Sequence, residues 1–254
     1  MKPLEGSCVA AKTFPGSAVK AVCDQLCKKV FNLARKVNDS PLANARFKDV
    51  TFADGLVRIN SDPSKAVSIA DAIRHARGRS IEAEASAAPN LKKQLRYTRH
   101  SHSAVFAEVK VDEDLGSIEV SRIVTAIAGG RILNPKTARS QIMGGIVWGI
   151  GMALEEESLM DHRFGRFVNH SLADYHVPVN ADIHDIDVIF VEEHDSVVNP
   201  LGAKGLGEPG VVGVAAAIAN AVFHATGHRV RELPITLDKL FAVISEIEVR
   251  KPAA

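Results

Sequence analysis

The stretch Gly202-Ala203-Lys204-Gly205-Leu206-Gly207-Glu208-Pro209-Gly210 sets one Lys and one Glu among four glycines. Glycines at 202, 205 and 207 let backbone N–H groups converge on an anion. Pro209 suits the first position of a helix, and the apolar run VVGVAAAIANAVFHATG follows it. Glu208 is therefore expected at or beside the N-cap. Free N–H groups and partial positive charge at a helix N-terminus favour an ionised carboxylate, which would make Glu208 a ready base. No Lys-Ser/Thr pair closes the loop, so it is not a P-loop. The residues alone leave two readings open: an anion-binding loop with a basic carboxylate, and a tight turn whose acid caps a helix.

Other reactive residue types carry less. The cysteines number three, Cys8, Cys23 and Cys27, and an odd count argues against a disulfide framework. Cys23 and Cys27 are four apart, but no second pair completes a metal site, and both are expected in the core. Ten histidines invite a metal reading. His224 and His228 are also four apart, with Gly227 between them as a helix stop; His170 and His176 fall in a loop-strand region. No HExxH or paired CxxC accompanies them, so no protein-ligated metal is expected.

The chain that positions these residues has 254 of them, 46% hydrophobic, with a net charge of +1. That suits a globular protein with a sizeable core and gives nucleic acid no basic patch to bind. No apolar run reaches the roughly 18–20 residues of a membrane span, and the start shows no secretory h-region. The cytoplasm is the expected compartment, with export alongside a partner to the periplasm as the alternative.

The elements read as follows. GSAVKAVCDQLCKKVFNLARKV has apolar residues at Val19, Val22, Leu26, Val30, Leu33 and Val37, the spacing of a helix with one buried face. FKDVTFADGLVRIN is a hairpin turned at Asp54-Gly55. SIADAIRHARG is a short helix with Ser68 as N-cap and Gly78 as stop. Residues 79–100 read as a loop. Two antiparallel strands, about 104–112 and 117–127, are joined by Asp114-Leu115-Gly116. A helix follows, capped by Asn134 with Pro135 in its first turn. From Ile142 to Leu154 it has no charged side chain, so it is expected to be buried all round, Trp148 included. Gly144, Gly145, Gly149 and Gly151 each cost up to ~1 kcal/mol of helix propensity, which implies close approach of a backbone or a ligand. DIDVIFVEE is a strand, the run to Gly227 a second buried helix and TLDKLFAVISEI a third. Interleaved but irregular elements give an α+β class with mixed sheets. The expected division is 1–100 and 101–254.

Several motifs in one order carry a resemblance. GAKGLGEPG resembles the loop bearing the catalytic Glu in the large subunit of molybdenum hydroxylases, the xanthine dehydrogenase/aldehyde oxidase family. VFAEVKVDEDLGSIEVSRIVTAIAGGRILNPKTARSQIMGGIVWGIGMALEEE, HSLADYHVPVNADIHDIDVIFVEE and LPITLDKL resemble its flanks, most tightly over 102–240, and the bacterial aldehyde-oxidising branch is the nearest variety. The resemblance implies the molybdopterin-binding fold and a molybdenum held by molybdopterin, as the cytosine dinucleotide. It implies Glu208 as the base that takes a proton from a molybdenum-bound hydroxyl, and Gln141 as a hydrogen-bonding partner of the pterin. Gly205, Leu206 and Gly207 would lie against the cofactor through backbone groups. Lys204 is either beside the cofactor or a surface charge. Ala10 and Ala11 match a cofactor-side loop, although Lys12 and TFPG depart from its small-residue pattern.

The family's large subunits are much longer than this chain, which resembles their C-terminal part. The implied partners are the N-terminal half of the large subunit, an iron–sulfur subunit with [2Fe–2S] and a subunit with FAD. The implied substrates are aldehydes or N-heterocycles. Two rivals remain: a non-catalytic cofactor-binding or assembly module, and a general phosphate-anion binder.

Overall fold

The structure, a computed structural model, describes residues 7–75, 80–86, 96–97 and 99–240. They fall into two compact units, one formed by 11–86 with 199–201, the other by 7–10, 96–198 and 202–240. The expected Gly78 stop, the side chain of Cys8 and the third helix beyond residue 240 lie outside the described residues.

The first unit begins at residue 11, within helix α1 (Ser7–Ala34), followed by a sheet of β1 (Val50–Ala53), β2 (Leu56–Ile59) and β3 (Asp62–Ser68) and by α2 (Ile69–His75). Its core joins Val30, Phe31 and Ala34 to Leu42, Val57, Val67 and Ala72. The hairpin turns where expected: Asp54 and Gly55 have φ of 52° and 74°, the left-handed pair of a type I′ turn. Ser68 caps α2, its hydroxyl accepting from the Asp71 N–H at 3.1 Å. Strand β3 was not expected, because it holds Pro63 and buries only Val67. It pairs on one side only, as an edge strand that tolerates proline. The reading of α1 fails in part: Val19 is 61% exposed. Cys23 is exposed and Cys27 half-buried rather than core. Burial pushes the Cys27 thiol up, with Cys23 and Asp24 adding to the shift.

The second unit is a sheet under two helices. Strands β4 (His102–Asp112) and β5 (Ser117–Ala128) form the expected antiparallel pair, and Asp112 Oδ1 accepts from the N–H groups of Asp114 and Leu115 to shape the turn. β8 (Asp185–Phe190) lies parallel to β5, which requires a crossover. Helix α3 (Pro135–Leu154) lies within that crossover; the two-residue strands β6 (Met160–Asp161) and β7 (Arg166–Phe167) follow it. Helix α4 (Val214–Thr226) ends at Gly227, φ 75°, as expected. Ile123 and Ile127 of β5, Ile142, Ile146 and Ile150 of α3, and Val214, Ile218 and Val222 of α4 are the centre of the core. Mixed sheets with helices agree with the α+β expectation.

Helix α3 starts as its sequence dictates: Asn134 Oδ1 accepts from the N–H groups of Lys136 (3.1 Å) and Thr137 (3.2 Å). It is not buried all round. Gln141, Gly144, Trp148 and Met152, spaced three, four and four apart, form an exposed stripe. Trp148 is 64% exposed, so its assignment to the core is wrong. An uncharged helix has a low cost of burial, but only packing decides which faces are covered. After α3, Glu156 accepts a hydrogen bond from the Tyr175 hydroxyl at 2.8 Å. No helix among the described residues is long and apolar enough to cross a membrane.

Candidate active site

The glycine-rich loop is built against the end of β5. Lys204 N–H donates to Gly129 O (3.0 Å), Arg131 N–H to Gly202 O (2.7 Å), and Gly130 forms an antiparallel bridge with Ala203. Gly130 needs its glycine twice: its φ is 65°, and a Cβ there would lie 2.3 Å from Gly202 O. Beyond the bridge, Ser101 Oγ donates to Gly205 O at 2.7 Å. The Leu206 side chain covers Gly129 and packs on the core.

Lys204 is not a surface charge. Its side chain is 6% exposed, and its ammonium pairs with Glu193 and, at 3.3 Å, with Asp195. Glu193 Oε2 also accepts from the Gly130 N–H at 2.8 Å. Asp195 Oδ1 accepts from the N–H groups of Val197 and Val198, both at 2.9 Å. Burial alone would lower the Lys204 pKa, but hydrogen bonds to Glu193 and Asp195 outweigh it and the value rises. The bond from Lys204 is the largest cause lowering Glu193, with burial opposing. For Asp195 burial is the largest single influence and raises the value, but the Val197, Val198 and Lys204 bonds together hold it down.

These directions fix a stability window. Depressed carboxylate values contribute stability above the ordinary carboxylate range, and it is lost as pH falls through them. A raised lysine value contributes below the ordinary lysine range, and it is lost as pH rises through it. Urea unfolding of the chain, compared at each pH with a Lys204→Met/Glu193→Gln/Asp195→Asn variant, is expected to show a constant difference in the middle range that changes at both extremes. A difference independent of pH throughout would refute it.

Glu208 does not cap α4. The helix starts at Val214, with Gly213 at its N-cap and no side-chain cap bond. Between them lies a turn in which Glu208 O accepts from the N–H groups of Val211 (2.9 Å) and Val212 (3.2 Å). A helix dipole acts within its first turn, so it does not reach Glu208 as expected. The displacement has a packing cause. A Cβ on Gly210 would lie 2.8 Å from Ile142 O, one on Gly145 would lie 3.0 Å from the Gly210 carbonyl carbon, and one on Gly213 would lie 2.9 Å from Val105 Cγ2. The chain after Glu208 thus lies directly on the α3 turn that follows Gln141. Glu208 and Gln141 are both exposed.

Among the described residues, the N–H groups of Gly205, Leu206 and Gly207 donate no hydrogen bond. These N–H donors and the exposed Gln141 amide, which both donates and accepts, are of the chemistry that suits a polyoxygenated, nitrogen-rich group such as a pterin phosphate. No His, Cys, Asp and Glu group among the described residues gathers three side chains able to hold a metal ion. Two shallow depressions of about 480 and 470 Å³ lie in the first unit, around Asn44 and Ala45, and contain none of these residues. The backbone of Ala10 and Ala11 lies in α1, a helix where the resemblance implies a loop, and their side chains lie outside the described residues. Sequence reading missed Ser101, Gly130, Glu193 and Asp195. Only the acid run VEEHD and the pair Gly129-Gly130 signalled them.

Similarity to known proteins shows the family. The molybdopterin cofactor-binding domain family matches residues 9–184, which include Gln141. The aldehyde oxidoreductase molybdenum-binding subunit PaoC of Escherichia coli K12 is 44% identical over 196 residues, covering 77% of this chain and 26% of PaoC. The putative xanthine dehydrogenase molybdenum-binding subunit XdhA of the same organism is 40% identical over 136 residues, 54% of this chain and 18% of XdhA. The chain thus spans about a quarter or less of these relatives. Quinoline 2-oxidoreductase from Pseudomonas putida 86 superposes with a TM-score of 0.75 at 27% identity, over 88% of this chain and 28% of that one. A Cu,Mo-CO dehydrogenase gives the same TM-score at 19% identity, which supports the fold alone. With a cofactor-domain match over most of its length and these relatives, the chain belongs to the molybdenum hydroxylase family, within its molybdopterin cofactor-binding domain.

Proposed function

We propose that this chain supplies the C-terminal, base-carrying part of a molybdenum hydroxylase large subunit that oxidises aldehydes, or hydroxylates N-heterocycles. The observation that carries the reading is the backbone contact of Gly210 with Ile142 and Gly145, which ties the Glu208 segment to the α3 turn after Gln141. A bound molybdenum–pterin group supplies the two-electron redox chemistry and the path for a water-derived oxygen. The N–H groups of Gly205, Leu206 and Gly207 and the Gln141 amide hold and orient that group. A Glu208 carboxylate oxygen would accept and hold a proton beside that group, as a fixed general base does. Glu208 is exposed on this chain, so water must be excluded by polypeptide outside it; this fits the quarter-length span.

The finer assignments follow from the same reading. The cofactor is the cytosine dinucleotide, electrons leave through [2Fe–2S] and FAD on partner subunits, and the N-terminal half of the large subunit completes the substrate pocket. The compartment is the cytoplasm.

The test is metal and nucleotide analysis of the chain purified together with polypeptide equivalent to the rest of the large subunit and with the redox subunits. Stoichiometric molybdenum and cytosine nucleotide released by acid are expected. A stable assembly lacking both would favour the non-catalytic module.

A further inference from the structure

The residue four positions before the proposed base is a lysine turned into the protein. We propose that Lys204, Glu193 and Asp195 are positioning residues for Glu208, a partly buried ionic clamp that holds the loop 202–208 against the end of β5. The inference rests on the reading of Glu208 as the base.

The clamp joins three segments. Lys204 belongs to the loop, and its ammonium reaches Glu193 and Asp195 from the stretch after β8. Glu193 in turn accepts from the Gly130 N–H, at the end of β5. Asp195 accepts from Val197 and Val198 N–H groups, which fixes its own turn. Both carboxylates therefore have their orientation set by backbone before they meet the lysine. From Lys204 onward the loop is anchored at each step: the Lys204 N–H by Gly129 O, the Gly205 carbonyl by Ser101, the Leu206 side chain by Gly129. Gly207 and Glu208 are the first residues past these anchors.

Ion pairs taken out of water are poor devices for stability, because desolvation offsets most of the attraction. Their strength is directional: they define one geometry where an apolar contact would tolerate several. A general base needs that definition, since a displacement of about 1 Å from productive geometry costs on the order of 10²-fold in rate. The clamp also occupies the Lys204 ammonium, which makes this side chain a support of the site and not a contact of the cofactor.

The test uses the assembled molybdenum enzyme with the full chain. In Lys204→Met/Glu193→Gln/Asp195→Asn all three charges are removed together, so no buried charge is left unpaired, and Gln and Asn keep acceptors for the backbone N–H groups. Molybdenum content and KM are expected to stay within about twofold of the wild type. Turnover, kcat, should fall on the order of 10²-fold, with faster amide exchange over 202–208. Unchanged kcat at normal molybdenum content would overturn the proposal. So would a kcat loss that only follows a loss of molybdenum, since the clamp would then serve cofactor retention. Lys204→Met alone, if it folds, should behave likewise; if it does not, the triple variant decides. Glu208→Gln is the control. Should it retain turnover, the base assignment fails, and this inference with it.

Discussion

Glu208→Gln in the assembled enzyme is expected to lower kcat by about 10²–10⁴-fold, the usual contribution of a positioned general base, while molybdenum content stays near that of the wild type. Gln has the same shape and keeps an acceptor, but it cannot take up a proton at neutral pH. The substitution has little else to disturb. The side chain is exposed, and the turn that follows it is held by the Glu208 main-chain carbonyl, which Gln retains. Surface replacements of this kind change stability by about 0.5 kcal/mol or less. Steady-state kinetics and metal analysis on the same preparation check the result. Substantial turnover in the variant would remove Glu208 from the chemistry, whatever its neighbours do.

The second large effect is a difference of sign between two glycines five residues apart on α3. Gly149→Ala is expected to destabilise the chain by about 1–2 kcal/mol, and Gly144→Ala to stabilise it by up to about 1 kcal/mol. Both gain helix propensity. At Gly149 the new methyl would lie 2.5 Å from Val214 Cβ and within 3.1 Å of both Val214 methyls. Val214 is fully buried and opens α4, so room can be made only by moving a helix. At Gly144 nothing lies within 4 Å. Urea denaturation of the chain separates the two. A gain in stability at Gly149 would mean that close approach is not why that glycine is there.

Local signals located most element starts and stops. Asn134-Pro135, Asp54-Gly55, Ser68, Gly116 and Gly227 act through bonds or dihedrals within a few residues, and each was legible. Contacts between distant segments were not. The start of α4 moved from Pro209 to Val214 because Gly210 and Gly213 press on Ile142 and Val105, and no pattern near residue 209 encodes that. Lys204 had no visible partners because they lie nine and eleven residues upstream, beyond an intervening turn. Trp148 looked like core because a helix without charges is silent about its uncovered side. In the site, the residue types and their order were readable, including the approach implied by Gly145. The geometry that holds them, from Ser101 to Asp195, depended on tertiary pairing.

The exposed stripe of α3 has one more consequence. Trp148 is the chain's one indole, and it lies on the same ridge as Gln141. Its fluorescence therefore comes from a single known place, wet when the chain is alone. Any polypeptide laid along that ridge must shift the emission to the blue and shield it from a soluble quencher, so the protein carries its own optical gauge of assembly.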